Sequence, residues 1–359
     1  MGSKGLVVVA MSGGVDSSVA AALLAEQGYD SIGMMLRLWS ETPGNSGSRH
    51  NRCCAPEAVE RARQVAAQCD IPFYVVDASE VFHRKVVEFF VDGYASGSTP
   101  NPCLECNRHI RWDFLLRKAL SLGATHLATG HYAQLREIDG EYQLLRSVDA
   151  GKDQSYVLSV LGQEQLAHTL FPVGGYTKDQ VRELARRLEL PVSDYHDSQD
   201  LCFIADGDYR RFLSERIPEA MQPGPIVDVH GHLLGEHQGL PRYTTGQRKG
   251  IGVVASVPMY VVDMETSTNT LVVGPRDTLG VDHLRADRVN WVSGTPPSGP
   301  RQATVKIRYQ SKPVPAIITP VSNDCVQVDF DILLHDVAPG QAAVFYDGEI
   351  CLGGGIIQP

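Results

Sequence analysis

The beginning of this 359-residue chain constrains its fold more than any other feature. Leu6 to Ala10 is a wholly apolar run, too short for a buried helix, and it passes through Ser12-Gly13-Gly14 into a helical stretch, Val15 to Gln27. A strand with no polar face must be covered on both sides, as an inner strand of a parallel sheet is by flanking helices. The alternation continues down the chain. Ser31 to Leu38, Pro72 to Asp77 and Thr125 to Thr129 read as strands, and Ala55 to Cys69, Ser79 to Tyr94 and Asn107 to Leu122 as helices. The stretches Ser40 to Asn51 and Ser96 to Cys106 read as loops. This pattern predicts an α/β fold with a doubly wound parallel sheet.

From Pro223 onward the helical periodicity disappears. Short β-rich runs remain, broken by Gly and Pro: Ile226 to Val229, Met259 to Asp263, Thr270 to Gly274, Ala303 to Tyr309, Ala316 to Thr319 and Ala342 to Tyr346. The chain is long enough for two or three domains. The expected division is residues 1–210 as the α/β domain, 211–281 as a small central β-rich domain, and 282–359 as a C-terminal β-barrel.

Ser12-Gly13-Gly14-Val15-Asp16-Ser17-Ser18 lies between the first strand and the first helix. Glycines let a backbone approach phosphate closely, and a helix N-terminus presents free N–H groups with a favourable dipole. The loop has neither the lysine of a Walker motif nor G-x-G-x-x-G spacing. It resembles the SGGxDS signature of the ATP pyrophosphatases, which implies ATP cleaved to AMP and pyrophosphate. Asp16 would then face the Mg²⁺ that accompanies ATP, with no metal held by the protein alone.

Eight cysteines occupy positions 53, 54, 69, 103, 106, 202, 325 and 351. No apolar run approaches the roughly 20 residues that cross a bilayer, and the N-terminus carries no h-region. The expectation is a cytoplasmic protein without membrane contact, in which clustered cysteines signal catalysis or metal binding rather than disulfides. Cys106 ends the proline-bounded loop Thr99-Pro100-Asn101-Pro102-Cys103-Leu104-Glu105-Cys106 and is expected at a helix N-terminus, where dipole and nearby Arg108, His109 and Arg111 favour thiolate. Cys202 lies in Asp197-Ser198-Gln199-Asp200-Leu201-Cys202. Two thiols far apart in sequence suit sulfur transfer, one carrying a persulfide and the other resolving it. Cys103 and Cys106 also form a C-x-x-C pair, which with Cys53, Cys54 and Cys202 leaves zinc or an iron–sulfur cluster open.

The formal net charge of −10 argues against indiscriminate polyanion binding. A nucleic acid must then meet local basic patches, for which Arg108, Arg111, Arg117 and Lys118 are candidates on one helix. Arg242, Arg248, Lys249, Arg301, Lys306, Arg308 and Lys312 are candidates in the β-rich half.

Further segments occur in a set order after the nucleotide loop: Thr99 to Asn107, Thr129-Gly130-His131-Tyr132-Ala133, Lys152-Asp153-Gln154-Ser155-Tyr156, the segment around Cys202, Pro223 to Val227, Thr245 to Gly250 and Gly353 to Gly355. Together they resemble the tRNA-specific 2-thiouridylases of the MnmA family over essentially the whole chain. The resemblance implies adenylation of the C2 oxygen of a wobble uridine by ATP, then sulfur delivery from a cysteine persulfide. It implies that Ala10, Met11, Ser12, Gly13, Gly14, Val15, Asp16, Ser17, Met35 and Gly130 bind ATP, with Cys106 as nucleophile and Cys202 as persulfide carrier. Asn101, Pro102 and Cys103 would touch the target base. His131, Lys152, Asp153, Gln154, Arg308, Tyr309 and Gln341 would contact the anticodon stem-loop of tRNA. A sulfur-carrier protein or cysteine desulfurase relay would supply the persulfide. The family often has Asp where this chain has Cys103, and a thiol is the weaker hydrogen-bonding group. Rival readings are an amide-forming ATP pyrophosphatase, which needs no paired thiols, and a tRNA-binding protein without chemistry.

Overall fold

A computed structural model describes residues 4–41, 55–192 and 201–359. The chain opens with β1 (Leu6–Ala10), β2 (Asp30–Arg37), β3 (Phe73–Asp77) and β4 (His126–Thr129), then a hairpin of β5 (Ala133–Ile138) and β6 (Glu141–Arg146), then the short β7 (Thr169–Leu170). β1 to β4 and β7 form one parallel sheet in the order β3-β2-β1-β4-β7. β1 sits at its centre because neither of its faces tolerates water. Val7 and Val9 pack under the helices Val15–Glu26 and Lys178–Arg187, against Val19, Ala20, Val181 and Ala185. Val8 faces the opposite layer, against Trp112, Leu115 and Leu116 of the helix spanning 102–121. The doubly wound sheet is therefore present as expected.

Four further strands, β8 (Gly224–Asp228), β9 (Leu233–His237), β10 (Tyr260–Glu265) and β11 (Thr270–Gly274), make a small sheet in the order β10-β11-β8-β9. The remaining six are β12 (Val281–Trp291), β13 (Arg301–Lys306), β14 (Val314–Pro320), β15 (Val326–Leu334), β16 (Ala342–Asp347) and β17 (Ile350–Ile357). They run β12-β15-β14-β13-β16-β17, and β17 pairs back to β12, which closes an antiparallel barrel. The β5–β6 hairpin adds to the barrel's sheet through Cys351 opposite Leu144, so the parallel-sheet half and the barrel are joined by main-chain pairing.

The sequence reading placed no strands at 133–146, 281–291, 326–334 or 350–357. For β17 the reason is physical: Gly353, Gly354 and Gly355 carry low strand propensity. They are glycines because a Cβ at Gly353 would lie 2.1 Å from the Asn290 carbonyl oxygen, and one at Gly354 2.9 Å from that of Ala343. Among the described residues, no helix is long and apolar enough to cross a membrane.

Candidate active site

The loop after β1 is shaped by its own atoms. Gly13 has φ +73°, and a Cβ there would meet the Ala58 carbonyl oxygen at 2.3 Å. The Ser12 N–H donates to Ser17 Oγ (3.1 Å), Ser18 Oγ donates to the Gly14 carbonyl (2.8 Å), and Arg61 Nε donates to the Gly13 carbonyl (3.1 Å). The helix Val15–Glu26 starts at Gly14 with no side-chain cap, so its first turn is suited to an anion. Gly130 lies flat on this turn, since a Cβ there would fall 2.6 Å from the Ser17 nitrogen. Ala10 is half-buried at the end of β1, Met11 packs in the core, and Met35 of β2 is buried beside β3.

Asp16 is engaged from two distant places. It accepts from Tyr132 Oη at 2.7 Å and from Lys178 Nζ at 2.7 and 2.9 Å. The sequence reading did not single out Lys178. Its signal is the helix start Thr177-Lys178-Asp179-Gln180, where Thr177 and Gln180 cap each other reciprocally. Asp16 is one carboxylate, and Mg²⁺ arriving on a nucleotide commonly takes one or two carboxylates besides phosphates and waters, so the donor fits that ion.

The cysteine-bearing helix begins earlier than expected. Asn101 is its N-cap, accepting from the Cys103 N–H (3.1 Å), and Pro102 is the first helical residue. Cys106 consequently lies inside the helix, at the start of a π-helical stretch, Cys106–Leu115. The expectation of a helix-terminal, acidified thiol is thereby corrected. Burial pushes the Cys106 thiol up, and the Arg111 charge opposes that rise. Arg111 Nη1 donates to Cys106 Sγ (3.6 Å) and to Asn107 Oδ1 (2.7 Å), while Asn107 Nδ2 donates to the Val157 carbonyl (2.8 Å).

Arg108 and His109 do not serve the thiol. Both sit on the buried carboxylate of Glu105 (3.4 and 3.2 Å), which Arg288 of β12 also reaches at 2.8 Å. Burial alone would raise the Glu105 carboxyl, but the His109 hydrogen bond and the Arg108 and Arg288 charges outweigh it and hold it below its usual range. Cys103 opens to solvent beside Cys106, yet surrounding protein, with the neighbouring Cys106, pushes its thiol up to about 11.

Cys202 is half-buried and packs on the same apolar cluster as Cys106, together with Phe82, Phe90, Ile110, Phe203 and Phe212. Cys106 is a free thiol here. Cys53, Cys54, most of the Ser40 to Asn51 loop and Asp197 to Asp200 lie outside the described residues. Among the described residues, no three His, Cys, Asp or Glu side chains gather as a metal set.

Several residues expected to contact tRNA are tied up internally. His131 Nδ1 bonds Thr129 Oγ1 (2.8 Å), and burial holds its imidazole well below its ordinary pKa. Asp153 accepts from Ser155 Oγ (2.9 Å) and the Ser155 N–H (3.1 Å), and Gln154 Oε1 accepts from the Tyr132 N–H (2.9 Å). Gln341 Nε2 donates to the Thr99 carbonyl (2.7 Å), and Arg308 donates to the carbonyls of Asp336 (2.9 Å) and Thr245 (3.1 Å). Lys152 is half-buried in the turn between β6 and the 155–158 helix. Tyr309 exposes its ring, edge-on to Tyr156 and 5.7 Å from Lys306 Nζ. Of the other basic candidates, Arg117 pairs with Asp113 and Arg301 with Asp347 (2.6 Å).

Three family models match the chain in sequence. A tRNA methyl transferase HUP domain covers residues 5–206, a tRNA methyl transferase PRC-barrel domain 210–275, and an aminomethyltransferase beta-barrel domain 281–357. Among curated proteins, the tRNA-specific 2-thiouridylase MnmA of Clostridium perfringens is 46% identical, over 99% of this chain and 99% of its own. Those of Heliobacterium modesticaldum and Chloroflexus aggregans are 48% and 47% identical, over 99% and 98% of this chain and 92% and 98% of theirs.

Proposed function

This chain belongs to the MnmA family of tRNA-specific 2-thiouridylases, and from that premise we propose how its own residues perform the reaction. It is a tRNA-uridine 2-sulfurtransferase, forming 2-thiouridine in tRNA. The observation that carries the residue assignment is the packing of Cys106 and Cys202 on one apolar cluster.

ATP is the activating substrate, seated on Ala10 to Ser17 with Met35 and Gly130 around the nucleotide. Asp16 would hold the Mg²⁺ that accompanies ATP, which would neutralise charge on the phosphates. The target wobble uridine leaves its stack, at small cost in a loop whose bases are unpaired, and meets Asn101, Pro102 and Cys103. Its O2 attacks the α-phosphorus, and pyrophosphate departs with the electrons of the broken P–O bond. The terminal sulfur of a Cys202 persulfide attacks C2, and AMP leaves with its oxygen. The Cys106 thiolate then attacks the Cys202 sulfur, releasing thiocarbonyl product and closing a Cys106–Cys202 disulfide that an external reductant reopens.

The apolar cluster excludes water that would hydrolyse the adenylate. His131, Lys152 to Gln154, Arg308, Tyr309 and Gln341 border the anticodon stem-loop, in several cases by holding the local backbone. The persulfide comes from a sulfur-carrier protein or desulfurase relay in the cytoplasm. The chain divides into a catalytic unit (1–210), a central β-rich unit (211–281) and a tRNA-facing barrel (282–359). Nucleoside mass spectrometry of tRNA from cells lacking the protein tests the whole reading, and a return of 2-thiouridine with the wild-type gene but not with C202S is the expected result. Thiolation restored by C202S would sink the persulfide role.

A further inference from the structure

The turn Ser12 to Ser18 contains no lysine, yet a cation reaches it from 162 residues away. Lys178 is only 7% exposed, and its ammonium spans both oxygens of Asp16. Three separate features hold it there. Thr177 and Gln180 lock the helix start, the Lys178 N–H donates to Asp149 Oδ2 (2.9 Å), and the Tyr132 hydroxyl shares Asp16. Burying a lysine is costly unless it is paired, which explains the partner but not the place. The place is the first turn of an uncapped helix, under a glycine turn that Gly130 overlies without side-chain bulk. An unneutralised Asp16 would repel a triphosphate from such a seat.

We propose, building on the adenylation reading above, that Lys178 is the phosphate-contacting cation of this site, supplied from outside the loop. On ATP arrival its ammonium turns from Asp16 toward the β- and γ-phosphates. It stays with pyrophosphate as the α–β bridging bond breaks and the electron pair passes to the departing oxygen.

The test uses the protein and inorganic pyrophosphate without metal, followed by calorimetry, with tRNA-dependent pyrophosphate release from ATP measured alongside. One charge-assisted contact corresponds to about a 30-fold change in affinity. K178M is expected to weaken pyrophosphate binding by about that factor, and K178R to recover most of it. The double variant D16N/K178M leaves neither charge buried alone, so it carries the test if K178M fails to fold, and it is expected to bind as weakly. Wild-type pyrophosphate affinity in the double variant would mean that Lys178 only neutralises Asp16, and would overturn the inference alone. Absence of tRNA-dependent pyrophosphate release from ATP by the wild-type protein would instead overturn the adenylation reading, and this inference with it.

Discussion

The nucleotide turn and the cysteine helix lie in the same α/β half but are assembled in opposite ways. Most hydrogen bonds shaping Ser12 to Ser18 join residues within five positions of each other. The cysteine helix leans on remote groups: Asn107 on Val157, Glu105 on Arg288, and Thr99 on Pro339 and Gln341. The first kind of site survives wherever a parallel strand meets a helix. The second exists only once the barrel has closed and docked.

The largest expected effect separates the two chemically. C106S and C202S should each lower 2-thiouridine formation by about a thousandfold, the scale of losing a catalytic nucleophile, while tRNA-dependent pyrophosphate release from ATP persists for one turnover. Loss of both signals together would erase the division of labour between turn and helix. Next comes Gly130→Ala, which forces a methyl to 2.6 Å from the Ser17 nitrogen. Displacing the turn by a fraction of an ångström should cut tRNA-dependent pyrophosphate release by about a hundredfold. The rate at which the cysteines react with a thiol reagent should not change. An unimpaired G130A enzyme would show that the turn tolerates movement.

A smaller effect probes the dependence on the barrel. Glu105→Gln leaves Arg288, Arg108 and His109 facing a neutral amide, which should cost about 2 kcal/mol in urea unfolding, discounted because Arg288 is partly exposed. An unchanged midpoint would mean that the barrel does not brace the cysteine helix. The smallest effect concerns His131, which the fold keeps neutral. The unfolded chain takes up a proton below about pH 6.5 that the folded chain refuses. His131 therefore costs no stability above that pH and progressively destabilises the fold as pH falls below it. H131Q should be the flatter of the two, the two stabilities diverging as pH falls from 7 to 5, and parallel melting curves would refute it.

Much of this is legible in the amino-acid order alone. Leu6 to Ala10 announced a two-sided buried strand, and the glycines after it announced a tight turn into a helix, because both depend on residues adjacent in the chain. The barrel's strands were read only in part, since β17 is written in glycines that close packing demands. In sequence Pro102 and Cys103 read as loop, which puts Cys106 at a helix start. Asn101 proved to be the cap, which puts Pro102 at the first helical position, where its missing N–H costs nothing.

By itself the sequence determined the strand–helix alternation of the first half, the glycine turn that joins β1 to its helix, and the positions of the cysteines. Periodicity and turn chemistry act over a few residues and are written where they act. Only the tertiary structure decided the protonation tendency of Cys106, the pairing of Asp16 with Lys178 and the bracing of Glu105 by Arg288. Burial and charge depend on which atoms surround a group in space, and at these sites the decisive neighbours include groups more than 150 residues away.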